Sequence, residues 1–233
     1  MSFCTKKYKG RCIICGILGY IGKSKNPKAT FSLVNQLMLK TEHRGVDATG
    51  FWACLGNGDN RVVYHKEPTK SSVFVSHKLW RGLEDMDPNL FIGHCRWTSP
   101  GGGSEKTNKN NHPHVSKDYR VALVHNGKIP EYNHLKKKYE TTTDCDSEIL
   151  LRIFESAENH HDQTDHLRKQ LPKVMDDTPD DLLYRIFGLS RIFSEVNYGA
   201  MAVAIGERLD NDDRSLFLFR DEHRPITVVD LQE

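Results

Sequence analysis

Residues 12–21 read Cys-Ile-Ile-Cys-Gly-Ile-Leu-Gly-Tyr-Ile, an apolar run punctuated by two glycines. Its length and composition predict a buried strand that ends in a turn. Working outward from it, the chain repeats the pattern of short apolar runs closed by turn signals. Residues 49–55 and 61–65 predict a pair of strands around Gly56-Asn57-Gly58-Asp59, a strong hairpin signal. Residues 90–97 predict another strand, and residues 121–125 one that stops at Asn126-Gly127. Residues 198–205 and 216–219 add two more, and residues 225–231 a last one. After Asn26-Pro27, Thr30 is placed to cap a helix that turns Phe31, Val34, Leu37 and Met38 toward a core. A helix over 147–157 carries Ile149, Leu150, Ile153 and Phe154 on one face, while 158–194 is helical in pieces with breaks at Pro172 and Pro179. Residues 100–111, with three consecutive glycines and three asparagines, predict a mobile loop of the kind that covers sites. Many short strands with two or three helices indicate an α+β fold with a largely antiparallel sheet.

Composition narrows the function classes. The 233 residues include 33 basic and 31 acidic side chains, a formal net charge of +2. That balance supplies no electrostatic case for nucleic acid or for an anionic membrane surface. No apolar run approaches the roughly 20 residues that span a bilayer, and the polar, basic start lacks a signal-peptide cleavage site. A cytoplasmic location is the default expectation. Six cysteines, at 4, 12, 15, 54, 95 and 145, are then expected as free thiols. Cys12 and Cys15 form a C-x-x-C pair, but a closed structural zinc site takes four ligands and no second pair exists.

Five short segments carry chemistry: Cys15-Gly16-Ile17-Leu18-Gly19-Tyr20; His43-Arg44-Gly45-Val46-Asp47-Ala48-Thr49-Gly50; Ile92-Gly93-His94-Cys95-Arg96-Trp97; Asn111-His112-Pro113-His114 through His125-Asn126-Gly127; and Asp146-Ser147-Glu148. Together, in this order, they resemble the N-terminal-nucleophile glutaminase domain of class II glutamine amidotransferases, above all the glutaminase half of glucosamine-6-phosphate synthase. The likeness runs from Cys15 to about Pro225. It implies a four-layer αββα sandwich of antiparallel sheets flanked by helices, over a domain of residues 15–233.

The resemblance also implies roles. Cys15 is the nucleophile that attacks the side-chain amide carbon of L-glutamine, forms a thioester and releases ammonia. Its own α-amine is the base, with an ordinary pKa near 7.7–8.0. The Asn126 side-chain amide and the Gly127 backbone N–H form the oxyanion hole. Arg96 clamps the α-carboxylate with its planar fork, and Asp146 pairs with the α-ammonium. Trp97, Thr98 and Ser99 line the pocket and begin the lid. Arg44 and Asp47 brace the nucleophile strand, and His94 and His112 support the pocket. No cofactor and no metal are expected, with His112 and His114 flanking Pro113 read as structural or pocket-edge residues.

Local alternatives stand beside these roles: a buried structural thiol at Cys15, a plain turn at Asn126-Gly127, a helix cap at Asp146 and a surface ion pair at Arg96. The chain also departs from the family pattern, with Pro100 where a histidine is typical and Cys95 where threonine is. Fourteen residues precede Cys15, so residues 1–14 are expected to be a propeptide or extension whose removal exposes the α-amine. Cys12 is the competing nucleophile, but isoleucine follows it where the family has glycine. Only eight residues lie beyond Pro225, so no synthase domain is expected and a separate partner is expected to receive the ammonia. The rival readings are a non-catalytic amino-acid-binding or regulatory protein on the same fold, and an N-terminal-nucleophile hydrolase of another amide.

Overall fold

The structure, a computed structural model, describes residues 15–56, 61–99, 102–157, 168–169, 179–196, 200–209 and 213–230. The expectations for residues 1–14, and for most of 158–178, lie outside the described residues. Strand β1 (Gly16–Ile21) leads to helix α1 (Pro27–Thr41), then to β2 (Ala48–Leu55) and β3 (Val62–Glu67). Two helices, α2 (Ser71–Phe74) and α3 (Lys78–Met86), precede β4 (Pro88–Arg96). The second half runs β5 (His114–Val115), β6 (Val121–Lys128), α4 (Tyr132–Lys138), α5 (Glu148–Glu155), α6 (Asp180–Glu195), β7 (Ala200–Arg208) and β8 (Arg214–Arg220).

The strands form two four-stranded sheets, ordered β1-β4-β2-β3 and β5-β6-β7-β8. Every pairing is antiparallel. Because side chains alternate across a strand, each sheet has two buried faces. In the first sheet Trp52, Cys54, Leu90 and Ile92 point inward and meet Ala122, Val124 and Ala204 of the second. The outward residues Phe51, Ala53, Phe91 and Cys95 pack beneath Val34 and Met38 of α1, Phe74 of α2 and Trp80 and Leu83 of α3. On the far side Val121, Leu123, Met201, Val203 and Ile205 pack beneath Ile149, Leu150, Ile153 and Phe154 of α5 and Ile192 of α6. The order of layers is helix, sheet, sheet, helix, the expected α+β sandwich. Small residues set the sheet spacing: a β-carbon on Gly206 would come within 2.7 Å of the Trp52 ring. Among the described residues no helix is long and apolar enough to cross a membrane.

The structure corrects several local expectations. Helix α1 begins at Pro27, with Asn26 as its cap accepting a hydrogen bond from Ala29 N–H at 3.1 Å. Thr30 lies inside the first turn and donates to Ser24 Oγ instead. Strand β6 does not stop at Asn126-Gly127 but runs through both to Lys128, paired with β7. Residues 225–230 form no strand. Residues 102–111 are no floppy connection, since Asn110 and Asn111 are buried and organise a strap against the first sheet.

Candidate active site

The register Gly16↔Cys95 places Cys15 opposite Arg96, at the end of both strands. The Cys15 Sγ rests on the main chain of the next residue, accepting from Trp97 N–H at 3.3 Å and lying 3.4 Å from Trp97 O. Arg44 Nε donates to Cys15 O at 3.2 Å. Gly16 leaves no room for anything larger, since a β-carbon there would sit 2.0 Å from Thr41 Cγ2. Burial pushes the Cys15 thiol pKa up; the Trp97 hydrogen bond, Arg96 and Arg44 pull it down, and Asp146 adds to the rise. The resting group is therefore a thiol that needs a base before it can attack.

Asp47 holds the next stretch: its N–H donates to Arg96 O at 3.0 Å and its Oδ2 accepts from Thr98 N–H at 2.7 Å. Trp97 and Thr98 are half-buried, and Ser99 is exposed with its carbonyl accepting from Gly102 N–H. Arg96 is only 2% exposed. Its Nη1 donates to Asn110 O at 3.0 Å and Asn111 Oδ1 at 2.5 Å; its Nη2 donates to Gly103 O at 2.7 Å and to Gly102 O. The guanidinium is thus the pin that holds the strap, and no surface ion pair. A carboxylate reaching Arg96 must displace strap oxygens.

Asp146 does not cap α5. Its Oδ2 accepts from Ile129 N–H at 2.9 Å and its Oδ1 lies 3.3 Å from Ser147 Oγ. The acidic residue that organises this corner is Glu148, which accepts from the N–H groups of Thr142 and Thr143 and from Arg152.

Strand β6 contributes His125, Asn126 and Gly127. Met201, the β7 residue opposite Gly127, gives its C=O to Asp221 N–H and its N–H to Asp221 Oδ2. In an antiparallel ladder both main-chain groups of a residue face the same side. Gly127 and Met201 are therefore not a hydrogen-bonded pair, and the Gly127 N–H points off the opposite edge of β6. On that edge β5 pairs only with Ala122 and Leu123, so it does not consume this donor. Only glycine fits the position, because a β-carbon would meet Ala200 O at 1.7 Å. Asn126 is 5% exposed. His125 Nδ1 shares a 2.8 Å hydrogen bond with Ser147 Oγ, which links β6 to the start of α5.

Behind Arg96, the rings of His94 and His112 stack at 4.1 Å and those of His112 and His114 meet edge-on at 4.6 Å. Burial, reinforced by Arg96, holds the His94 pKa down at about 3, and burial holds His112 and His114 well below the ordinary imidazole value. All three are neutral near pH 7.

Two residues absent from the sequence-based site belong to this region. Lys66, at the end of β3, donates to Lys109 O, Asn111 O and Pro113 O and so pins the strap a second time. Cys145 stands with His112 and His114, their ligand atoms all within 4.8 Å of one another, and His65, Glu67 and His77 make a second such group. The expectation of no metal rested on linear spacing and on the family resemblance; both groups assemble only in the fold. No local signal marks Lys66 or Cys145, since each joins the site across long sequence separations. An open groove of about 430 Å³ shares Trp97 but is otherwise lined by Leu39, Lys40, Glu42, His43 and Val46, beside the candidate residues.

No family model matches the chain. Curated relatives do. The chain is 34% identical over 166 residues to a glutamine–fructose-6-phosphate aminotransferase (isomerizing) from Caldanaerobacter subterraneus, covering 69% of this chain and 25% of that protein. It is 27% identical over 201 residues to the protein of the same name from Sulfolobus acidocaldarius, covering 84% and 32%. A Staphylococcus aureus protein of that name is 33% identical over 150 residues, covering 63% and 23%. The chain thus spans about a quarter to a third of the length of these relatives. Among solved structures it is similar to the allosteric regulatory enzyme of purine biosynthesis, at 21% identity and a TM-score of 0.48, covering 81% of this chain and 34% of that one. On the shared segments and these relatives, the chain belongs to the class II glutamine amidotransferases, as a glutamine amidotransferase domain.

Proposed function

We propose that this domain hydrolyses L-glutamine to L-glutamate and ammonia through a thioester on Cys15, and passes the ammonia to an acceptor. The observation that carries the reading is the position of the Cys15 sulfur, against the Trp97 main chain and within the influence of Arg44, Arg96 and Asp146. A buried structural thiol would have no reason to sit among three ionisable groups at the ends of two strands.

The chemistry follows from that position. The α-amine of Cys15, once residues 1–14 are removed, takes the thiol proton, and the thiolate attacks the amide carbon. Negative charge develops on the amide oxygen, for which the Asn126 side-chain NH₂ and the outward Gly127 N–H are the available donors. Collapse of this adduct breaks the C–N bond, and the ammonium formed on the α-amine returns its proton to the departing nitrogen. Water then attacks the thioester and regenerates the thiol. Arg96 and Asp146 select a free amino acid by holding its carboxylate and ammonium. Because the Arg96 fork already grips four strap oxygens, substrate capture exchanges some of those contacts for the carboxylate, so binding and strap movement are coupled. Trp97, Thr98 and Ser99 form the hinge between the two. His94, His112 and Asp47 hold these elements in place and exchange no protons.

The charge balance gives no support to a nucleic-acid partner, and a cytoplasmic location suits free thiols. The test is ammonia release from glutamine. Cys15→Ala should abolish it and Cys12→Ala should leave it, whereas equal loss in both would point away from Cys15 as nucleophile.

A further inference from the structure

The cluster behind the strap has a feature that glutamine hydrolysis does not use. His112 and His114 are 4% and 3% exposed, and Cys145 is 2% exposed. Among the described residues, neither ring nitrogen of His112, nor Nε2 of His114, has a hydrogen-bond partner. Buried polar atoms are almost always satisfied, so unmet nitrogens on two neighbouring rings call for an explanation. An imidazole offers a ring-nitrogen lone pair to a metal, and the third corner is the Cys145 thiol. Imidazole nitrogen and cysteine sulfur are the donor set of zinc.

The geometry points to a zinc(II) site formed by His112, His114 and Cys145. In a tetrahedral site with bonds of about 2.0–2.3 Å the ligand atoms lie roughly 3.3–3.8 Å apart. Here they lie within 4.8 Å of one another, a gap that side-chain rotation closes. Binding converts Cys145–SH and aqueous zinc into a zinc thiolate and a proton released to solvent. The nearby cations do not forbid it. Lys66 is covered by three carbonyls and Arg96 by four oxygens. The thiolate cancels half the charge of the ion, and the Asp146 carboxylate lies 3.9 Å from the Cys145 sulfur. The ion would clip the end of the strap to the loop that leads into α5, two segments already joined by Asp144 N–H donating to Asn110 Oδ1 at 2.9 Å.

The test uses the full chain in a Cys4→Ser/Cys12→Ser background, which removes the thiols outside the described residues, and reads metal binding independently of glutamine turnover. Titration with cobalt(II) should give one equivalent of tetrahedral cobalt with a thiolate-to-metal charge-transfer band. Cys145→Ser should remove that band, and His114→Gln should weaken binding at least tenfold. His77→Gln, in the more exposed second group, should change neither. X-ray absorption of the zinc-loaded background protein should place one sulfur in the first shell, a readout that needs no further variant to fold. A first shell without sulfur, or a charge-transfer band that survives Cys145→Ser, would overturn the assignment.

Discussion

Replacing Arg96 with lysine separates its hold on the strap from the carboxylate clamp proposed for it. Its guanidinium donates to four oxygens of residues 102–111. A lysine ammonium offers three donors from a single point and cannot span the same set. Three donors leave at least one of the four oxygens unserved, and a single point cannot reach both the 102–103 and the 110–111 ends. About two oxygens therefore lose a charged partner, each worth about 1.5–3 kcal/mol. Strap oxygens that turn to water recover part of this, which leaves a net loss of about 2–4 kcal/mol. For a chain of this size that lowers Tm on the order of 10 °C. Hydrogen exchange on peptides covering 102–111 should show lost protection, while the β2 and β4 core stays protected. The glutamine KM should rise more than tenfold, because a point charge replaces a two-donor fork. Unchanged strap protection would refute the pin, and an unchanged KM beside an opened strap would remove the carboxylate clamp.

Further outcomes follow from individual contacts. Gly127→Ala drives a β-carbon to 1.7 Å from Ala200 O, so β6 and β7 must part and the variant should fail to give soluble folded protein. Gly82→Ala is the control: it sits in α3 with Met86 Cε at 3.5 Å as its nearest neighbour, and should raise stability by about 0.5–1 kcal/mol in chemical denaturation. Burial alone would raise the Glu148 pKa, but hydrogen bonds from Thr142, Arg152 and Thr143 outweigh it and hold the carboxylate below its usual range. A depressed folded-state value contributes stability that is full above the unfolded value, about 4.3, and drains as pH falls through the folded one. Glu148→Gln should thus flatten the acid limb of Tm against pH; an acid limb identical to the parent's would show that Glu148 is not its source.

The strands were legible as apolar runs because both faces of each sheet are buried, while the four-layer order followed from the family resemblance. Phe51, Ala53, Phe91 and Cys95 fall on one face and Trp52, Cys54, Leu90 and Ile92 on the other, and apolar runs of this kind mark buried strands. Local signals failed where tertiary contacts overruled them. Asn126-Gly127 carries a turn signature, yet the glycine is there for a close approach to Ala200, and the strand continues. Glycines and asparagines at 102–111 suggest mobility, but the Asn110 and Asn111 amides bond back to the strap and Arg96 fastens it. The cap of α1 was readable in principle, since asparagine directly before a proline at the first helical position is a start signal. The role of Cys145 was not, because its partners lie more than thirty positions away, at His112 and His114.

The central claim is that catalysis uses the α-amine carried by Cys15 itself. Intact-mass and amino-terminal sequencing of a preparation that is hydrolysing glutamine tests it directly. The account predicts that the active molecules begin at Cys15 and that protein still carrying residues 1–14 is inert. Glutamine turnover by a chain whose only amino terminus lies upstream of Cys15 would contradict it.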